Sequence, residues 1–366
     1  MLFRSVGALA GCMPPAARTS DPSGSYASTA AAARARDPIV GPKAGHVVVV
    51  GGGTMGPELY AKMMELAGGP DAPVVVVPTA GGDTTYPADW AGANGFKKAG
   101  AKNVFILHTV DRKVADSDAF VEPLKKAKVL WFGGGRQWHL VDSYTGTKTE
   151  VEFRRVLERG GVVGGSSAGA SILASFLVRG ARENNVIMMA PDYLVGFGYL
   201  RNVAIDQHVV ARDRLMDLPQ VIAKHPELLG ISEDEGTAWV VTGDHAEIMG
   251  RNKAFVYNGK DATDPGQPYL TLRPGDTYDL GLRRVTHRAI DDARITQRFV
   301  DSLFSDYAKP GAPGAAVLVA HDGRVLINRA YGLGDLASKT PLTTRSNFRL
   351  ASMTKQFTAE IGRAHV

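Results

Sequence analysis

The chain of 366 residues has a single cysteine, Cys12, and no apolar run long enough to cross a bilayer as a helix. One cysteine excludes disulfide bonds within the chain and the paired-cysteine motifs of zinc sites. The basic excess is small, at 42 Lys and Arg against 37 Asp and Glu. It forms no long run and no stripe interleaved with aromatic residues, so nucleic-acid binding is not indicated. Hydrophobic and charged contents of 44% and 22% are ordinary for a soluble globular protein.

A turn rich in glycine and serine follows an apolar run at residues 164–170. Residues 165–169 match the G-x-S-x-G nucleophile elbow, in which a strand ends in a sharp turn and a helix begins. The match places the nucleophile at Ser167, with Ser166 as the rival hydroxyl. Small neighbours give substrate access and allow unusual dihedrals, while the Ala168 N–H faces a developing oxyanion. A phosphate-binding or plain tight turn has a similar composition, so the context has to decide.

Four other segments have the order and character expected of one enzyme: residues 46–53, 131–137, 206–208 and 230–238. Together with the serine turn they resemble the cyanophycinase family of serine peptidases. These are relatives of the aspartyl dipeptidases with a class I glutamine amidotransferase-like fold. The resemblance extends over residues 45–260. The serine elbow, the Gly-Gly-x-Gln turn, the Asp-Gln-His motif and the Asp-Glu-x-Thr-Ala motif in this order are more specific than any one of them.

The resemblance implies a Ser167, His208 and Glu235 triad. In it the histidine takes the serine proton and the carboxylate orients the ring. The identity of the carboxylate among Glu233, Asp234 and Glu235 stays open. The resemblance also implies residues that form the oxyanion hole and line the substrate pocket: Gly134, Gly135, Gln137, Ala168 and Gln207. The chemistry needs no metal and no organic cofactor, and a homodimer is common in the family.

Cyanophycin is poly-aspartate with arginine on each β-carboxyl, and cyanophycinases cut it to β-Asp-Arg dipeptides. Carboxylates bind guanidinium groups best. The acidic candidates for binding the arginine side chains of the substrate are Asp83, Asp142, Glu183 and Asp192. After the histidine the chain keeps Arg212-x-Arg214, but it lacks the Gly-Arg-Leu that often follows in intracellular cyanophycinases. This departure puts the exact substrate in doubt.

Two alternatives to a cyanophycin exopeptidase therefore remain. One is a related dipeptidase for short aspartyl or β-aspartyl peptides, which Gln137 and residues 206–208 disfavour. The other is an envelope peptide-binding module whose triad has decayed. A glutamine amidotransferase is disfavoured because that chemistry uses a cysteine at the elbow, whereas the single cysteine is Cys12.

Strands and helices alternate from residue 47 to residue 165, which predicts an α/β fold with three α/β/α layers and a mostly parallel sheet. Active residues of such sheets gather at the carboxyl ends of the strands, where Ser167 and the turn at 133–137 both lie. Gly51-Gly52-Gly53 has no clean G-x-G-x-x-G spacing and no P-loop lysine. The sequence therefore predicts a plain tight turn at these glycines.

Residues 1–44 are predicted to be a truncated signal or lipoprotein leader followed by a flexible tether rich in Ala, Pro, Ser, Gly and Arg. Residues 9–12 resemble a bacterial lipobox, in which Cys12 would be lipidated and would attach the protein to a membrane of the cell envelope; a secreted protein is the other expectation. A chance cysteine is the competing interpretation. The end segments 1–5 and 360–366 resemble translated sequencing adapters, which predicts a longer natural protein.

Residues 261–288 carry Pro, Gly and Asp clusters and are predicted to be the end of the first domain and a linker. Residues 289–366 then show a helical pattern, an Asp-Gly hairpin and an S-x-x-K motif at Ser352 and Lys355. This segment resembles the start of the class C β-lactamase and penicillin-binding-protein-like serine hydrolases. The later motifs of that family are absent, so we expect an incomplete α+β fragment without activity.

Overall fold

The computed structural model describes residues 37–289, 295–321, 324–348 and 355. The chain forms two compact units, which divide between His287 and Arg288. Two predicted sites, the lipidation site Cys12 and the serine of the S-x-x-K motif, Ser352, lie outside the described residues, while Lys355 is exposed. No helix in the described ranges has the length and apolar character that a membrane span requires.

The first unit alternates strands and helices before it becomes rich in strands. Its strands are β1 (His46–Val50), β2 (Val74–Val77), β3 (Val104–Ile106), β4 (Val129–Phe132), β5 (Val162–Ser166), β6 (Ala174–Phe176), β7 (Leu200–Gln207), β8 (Leu229–Glu233), β9 (Thr237–Thr242), β10 (His245–Gly250), β11 (Ala254–Tyr257), β12 (Tyr269–Leu272), β13 (Thr277–Asp279) and β14 (Arg284–His287). Its helices are α1 (Pro57–Leu66), α2 (Asn94–Lys98), α3 (Arg112–Ala115), α4 (Asp118–Lys126), α5 (Gln137–Tyr144), α6 (Lys148–Glu158), α7 (Ala168–Ser171) and α8 (Leu218–Lys224). Short 3-10 helices span Thr79–Gly81, Ala91–Ala93 and Pro191–Tyr193.

The main sheet has the strand order β14-β13-β10-β9-β1-β5-β4-β2-β3. Strands β1 to β5 pair in parallel, and the strands from β9 outward are antiparallel. Alternate residues of β1 enter two separate hydrophobic clusters, with Val47 and Val49 on one face and Val48 and Val50 on the other. A run of valines suits this strand because both of its faces are covered. The predicted α/β class is confirmed.

A second sheet, with the order β12-β11-β8-β7-β6, was not predicted. One face shares a hydrophobic core with the main sheet, where Val203 and Ile231 join the cluster that contains Val47. The other face packs against α8 through Leu218 and Val221. The second sheet therefore covers part of a face of the main sheet that the sequence pattern assigns to helices, and it brings β7 and β8 toward the end of β1.

The first domain extends beyond residues 45–260 at both ends. Residues 261–288 supply β12, β13 and β14 to the two sheets, so their Pro, Gly and Asp clusters are turns between strands and not a linker. At the other end, residues 37–41 of the predicted tether are packed, and Val40 is buried. Its N–H donates to Asp244, and the Arg201 guanidinium donates to the carbonyls of this segment.

The second unit contains α9 (Gln297–Leu303), a 3-10 helix (Ser305–Ala308) and four strands within the described residues. These strands are β15 (Ala315–His321), β16 (Arg324–Tyr331), β17 (Leu333–Asp335) and β18 (Thr340–Pro341). The β15 and β16 strands pair antiparallel, as the hairpin pattern predicts. Tyr331 donates to Asp301 on α9, which connects the helix to the hairpin.

Candidate active site

The elbow at the end of β5 holds Ser167 in a strained conformation. Its φ is 58° and its ψ is −117°, a region that non-glycine residues rarely adopt. A Cβ at Gly165 would lie 2.0 Å from the Gly169 carbonyl oxygen, and a Cβ at Gly169 would lie 2.2 Å from the Phe132 carbonyl oxygen. The flanking glycines are therefore required by close backbone packing, and the serine is presented where β5 ends and α7 begins.

The structure brings Ser167, His208 and Glu235 together. His208 Nε2 lies 2.8 Å from Ser167 Oγ, and His208 Nδ1 lies 2.7 Å from Glu235 Oε1. His208 follows the end of β7, and Glu235 lies in the turn between β8 and β9. Three loops that are distant in sequence thus form one hydrogen-bonded series. In the described ranges no group of three or more His, Cys, Asp and Glu residues is arranged to hold a metal ion.

The three consecutive acidic residues before Gly236 have three different environments. Glu233 is fully buried, and its burial and the nearby Asp206 carboxylate raise its pKa well above the ordinary value. Asp234 accepts hydrogen bonds from the N–H groups of Val210 and Ala211, in the turn after His208. Glu235 alone among the three contacts the histidine ring. This geometry separates carboxylates that the sequence leaves as alternatives.

The glycine turn after β1 contacts His208 and Glu235, which the sequence pattern did not predict. A Cβ at Gly52, whose φ is 97°, would lie 2.1 Å from His208 Cε1, and a Cβ at Gly53 would lie 2.6 Å from Glu235 Oε2. The missed signal is the position of three glycines at the carboxyl end of a parallel strand, the same sheet edge that carries the serine.

Consecutive backbone carbonyls at the end of β1 also hold the triad in place. The carbonyl of Val50 accepts from the Ser167 N–H at 3.0 Å, and the carbonyl of Gly51 accepts from the His208 N–H at 3.0 Å. The carbonyl of Gly52 accepts from the N–H of Gly236, the residue after Glu235, at 2.8 Å. One short segment therefore positions all three triad loops.

The second glycine turn, after β4, lies against the serine. A Cβ at Gly134 would lie 3.3 Å from Ser167 Cβ and 3.8 Å from Ser167 Oγ. Gly135 lies close to the 3-10 helix Thr79–Gly81, and a Cβ at Gly135 would overlap the Ala80 carbonyl oxygen. Gln137 is buried at the start of α5, and Gln207 is buried at the end of β7. Ala168 is the first residue of α7, directly after the serine.

A buried ion pair lies beside the segment that leads into His208, and nothing in the sequence pattern points to it. Arg179 Nε and Nη2 each donate to the Asp206 carboxylate at 2.7 Å, and Nη2 also donates to Asp217 at 2.6 Å. Arg179 is 1% exposed and Asp206 is fully buried. Asp206 Oδ1 also accepts from the Gln207 N–H. The pair fixes the backbone immediately before His208.

Residues 47–249, a span of 203 of the 366 residues, match the model of peptidase family S51. The chain belongs to peptidase family S51. The hydrogen-bonded serine, histidine and glutamate all lie within the matched residues of this S51 domain, which is a peptidase domain.

The S51 domain resembles curated and solved relatives over most of their length. A cyanophycinase from Geminocystis herdmanii is 29% identical over 220 residues, which cover 58% of this chain and 80% of that protein. The crystal structure of a peptidase from an acI-B1 actinobacterium aligns with a TM-score of 0.49 at 23% identity, covering 64% of this chain and 97% of that one.

The region after the S51 domain has different relatives. Residues 300–364 match the beta-lactamase family model. A D-aminopeptidase from Brucella anthropi is 33% identical over 70 residues, which are 19% of this chain and 13% of that enzyme. The chain thus spans a small part of such enzymes, and the predicted resemblance of the second unit is confirmed at the level of the family.

Proposed function

We propose that the S51 domain is a serine exopeptidase that hydrolyses cyanophycin to β-Asp-Arg dipeptides. The observation that carries the proposal is the Ser167–His208–Glu235 hydrogen-bonded series, at 2.8 and 2.7 Å, on a strained nucleophile elbow. Serine hydrolases on unrelated folds use the same order of hydroxyl, imidazole and carboxylate. Cyanophycin is chosen as the substrate because similar curated proteins, 29% and 28% identical, are cyanophycinases.

In the proposed reaction Ser167 Oγ attacks the scissile carbonyl carbon while its proton passes to His208 Nε2. Glu235 accepts from the Nδ1–H and stabilises the imidazolium that forms. The N–H groups of Gly135 and Ala168 receive the negative charge on the carbonyl oxygen. The C–N bond then breaks as His208 returns the proton to the leaving amine. Water, deprotonated by the same histidine, hydrolyses the acyl-enzyme.

The proposal is tested by incubating the full chain with insoluble cyanophycin. We expect the suspension to clear and β-Asp-Arg to appear in the mass spectrum. Short α- and β-aspartyl dipeptides are the matched comparison, because they offer the same chemistry without the polymer. Cleavage of the dipeptides alone would assign the chain to the aspartyl dipeptidases, and no cleavage of either by folded protein would refute a peptidase acting on aspartyl substrates.

The pH dependence of the reaction should reflect the buried histidine. Burial lowers the pKa of His208 below its ordinary value of 6.5, and the hydrogen bond to Glu235 opposes this shift. A lowered pKa keeps the ring neutral, and so able to accept the serine proton, at more acidic pH. We expect the acidic limb of the kcat/KM profile to have its midpoint below pH 6.5.

His46 is a suitable control for that profile. Burial also lowers its pKa, but its ring contacts Thr242 and takes no part in the triad. The variant His46→Gln should retain the wild-type acidic limb. A midpoint above pH 6.5, or one that moves in His46→Gln, would contradict the assignment of the limb to His208.

A further inference from the structure

The side chain of Arg182 lies in a small cage formed by Trp138, Asp142 and Tyr193. Its Nη2 donates to Asp142 Oδ2, and its Nε donates to the Tyr193 hydroxyl. Its Cζ lies 5.0 Å from the centroid of the Trp138 ring and 5.8 Å from that of Tyr193. The Tyr193 hydroxyl donates to Asp142 Oδ1 at 3.0 Å, which holds two walls of the cage together. We call Trp138, Asp142 and Tyr193 the guanidinium cage.

The cage combines the two features that recognise guanidinium groups. A carboxylate accepts hydrogen bonds from the edge of the planar cation, and an aromatic ring, here that of Trp138, covers a face of it. Trp138 and Asp142 are four residues apart on α5, so they lie on the same side of the helix. Trp138 and Asp142 belong to a helix, whereas the cation comes from a separate loop.

The cage lies close to the catalytic serine. Trp138 is four residues after Gly134, a distance that an extended chain bridges with at most about 14 Å, and Gly134 packs against Ser167. Arg136 Nη2 donates to the Ala181 carbonyl oxygen at 2.5 Å. This bond holds the residue before Arg182 next to the turn that carries Gly134. The cage therefore lies on the helix that follows the glycine turn beside Ser167.

Arg182 is suited to leave the cage. Its side chain is 58% exposed, and that of Asp142 is 32% exposed. Ion pairs this close to solvent contribute little to stability because water competes for both partners. A second guanidinium could thus take the place of Arg182 without disturbing the core, and Arg182 could extend into solvent.

We infer that the guanidinium cage binds the arginine side chain of the substrate and that Arg182 fills the cage when substrate is absent. The inference rests on the proposed function for its choice of ligand. It assigns Asp142, one of four acidic candidates from the sequence, to arginine recognition. It also makes Arg182 an internal competitor, whose removal frees the cage and so raises the apparent affinity for a guanidinium ligand.

The test measures binding of agmatine, a guanidinium cation, to full-length protein by isothermal titration calorimetry. All proteins carry Ser167→Ala, so the result does not depend on hydrolysis. We expect Arg182→Ala to bind agmatine about threefold or more tightly than the parent. Adding Asp142→Asn to Arg182→Ala should weaken binding about tenfold, because the charge-assisted hydrogen bonds are lost. Butylamine, which has an ammonium group but no planar guanidinium, should gain little from Arg182→Ala.

Arg155→Ala is the matched control, since Arg155 is 54% exposed and also pairs with a carboxylate, Glu152. It should leave agmatine binding unchanged. Equal affinities in Arg182→Ala and its parent, with both proteins folded, would overturn the inference and make the contact a structural link between the loop and α5. The expected agmatine binding, combined with no hydrolysis of aspartyl substrates by the protein that retains Ser167, would instead refute the proposed function and leave the inference about the cage standing.

Discussion

Alanine in place of Ser167 is expected to lower turnover of an aspartyl substrate by about four to six orders of magnitude, as removal of a triad member does in serine hydrolases. The hydroxyl lies 2.8 Å from His208 Nε2, on the strained turn between β5 and α7. Without it no acyl-enzyme forms, and only binding and the oxyanion hole remain. Dipeptide release measured by mass spectrometry, with circular dichroism to verify folding, gives the result.

Two further variants make this expectation specific. Ser166→Ala removes the neighbouring hydroxyl, which belongs to the end of β5, and should retain most of the activity. Ser167→Gly also removes the nucleophile, but it should raise the free energy of unfolding by about 1 kcal/mol because glycine relieves the strained dihedrals. If Ser166→Ala lost turnover and Ser167→Ala retained it, the nucleophile would be Ser166 and not Ser167.

Alanine in place of Gly52 is expected to lower kcat by about two orders of magnitude or more while the protein stays folded. The added Cβ would lie 2.1 Å from the His208 ring, so the imidazole must leave the position in which it contacts Ser167. A displacement of about 1 Å at reacting groups is enough for an effect of this size. Steady-state kinetics on a soluble aspartyl dipeptide, or on cyanophycin if dipeptides are not cleaved, would measure it.

Gly68→Ala is the control for backbone strain. Gly68 has a φ of 100°, close to the 97° of Gly52, but a Cβ there meets nothing within 4 Å. Both variants carry the cost of placing alanine at a positive φ, whereas only Gly52→Ala should lose activity. Equal kinetic effects in the two variants would mean that strain, and not contact with His208, is responsible.

Local patterns were sufficient to predict the elbow and much of the main sheet. The valine runs of β1 and β2 bury both faces of parallel strands, and a sequence shows this directly as continuous β-branched residues. The G-x-S-x-G motif is equally local, because each glycine is required by packing against the backbone within or beside the same turn. Ser167 could therefore be placed without knowledge of any distant contact.

The features that escaped prediction depend on contacts between residues far apart in sequence. Arg179 and Asp206 are 27 residues apart, and neither position has a local pattern that indicates an ion pair. The contact of Gly52 with His208 depends on the second sheet, which brings β7 to the end of β1. Residues 261–287 belong to the end of the first domain, as predicted, but they contain strands where a linker was also expected, because turn residues between short strands have the same composition as a linker.

The three successive carbonyls of Val50, Gly51 and Gly52 fix the spacing of the loops that carry Ser167, His208 and Glu235. Each carbonyl receives one triad loop, in the order in which Ser167, His208 and Glu235 occur along the chain. The spacing of the three loops is therefore set by the peptide repeat of a single segment. A substitution that displaces this segment is therefore expected to disturb all three side chains together.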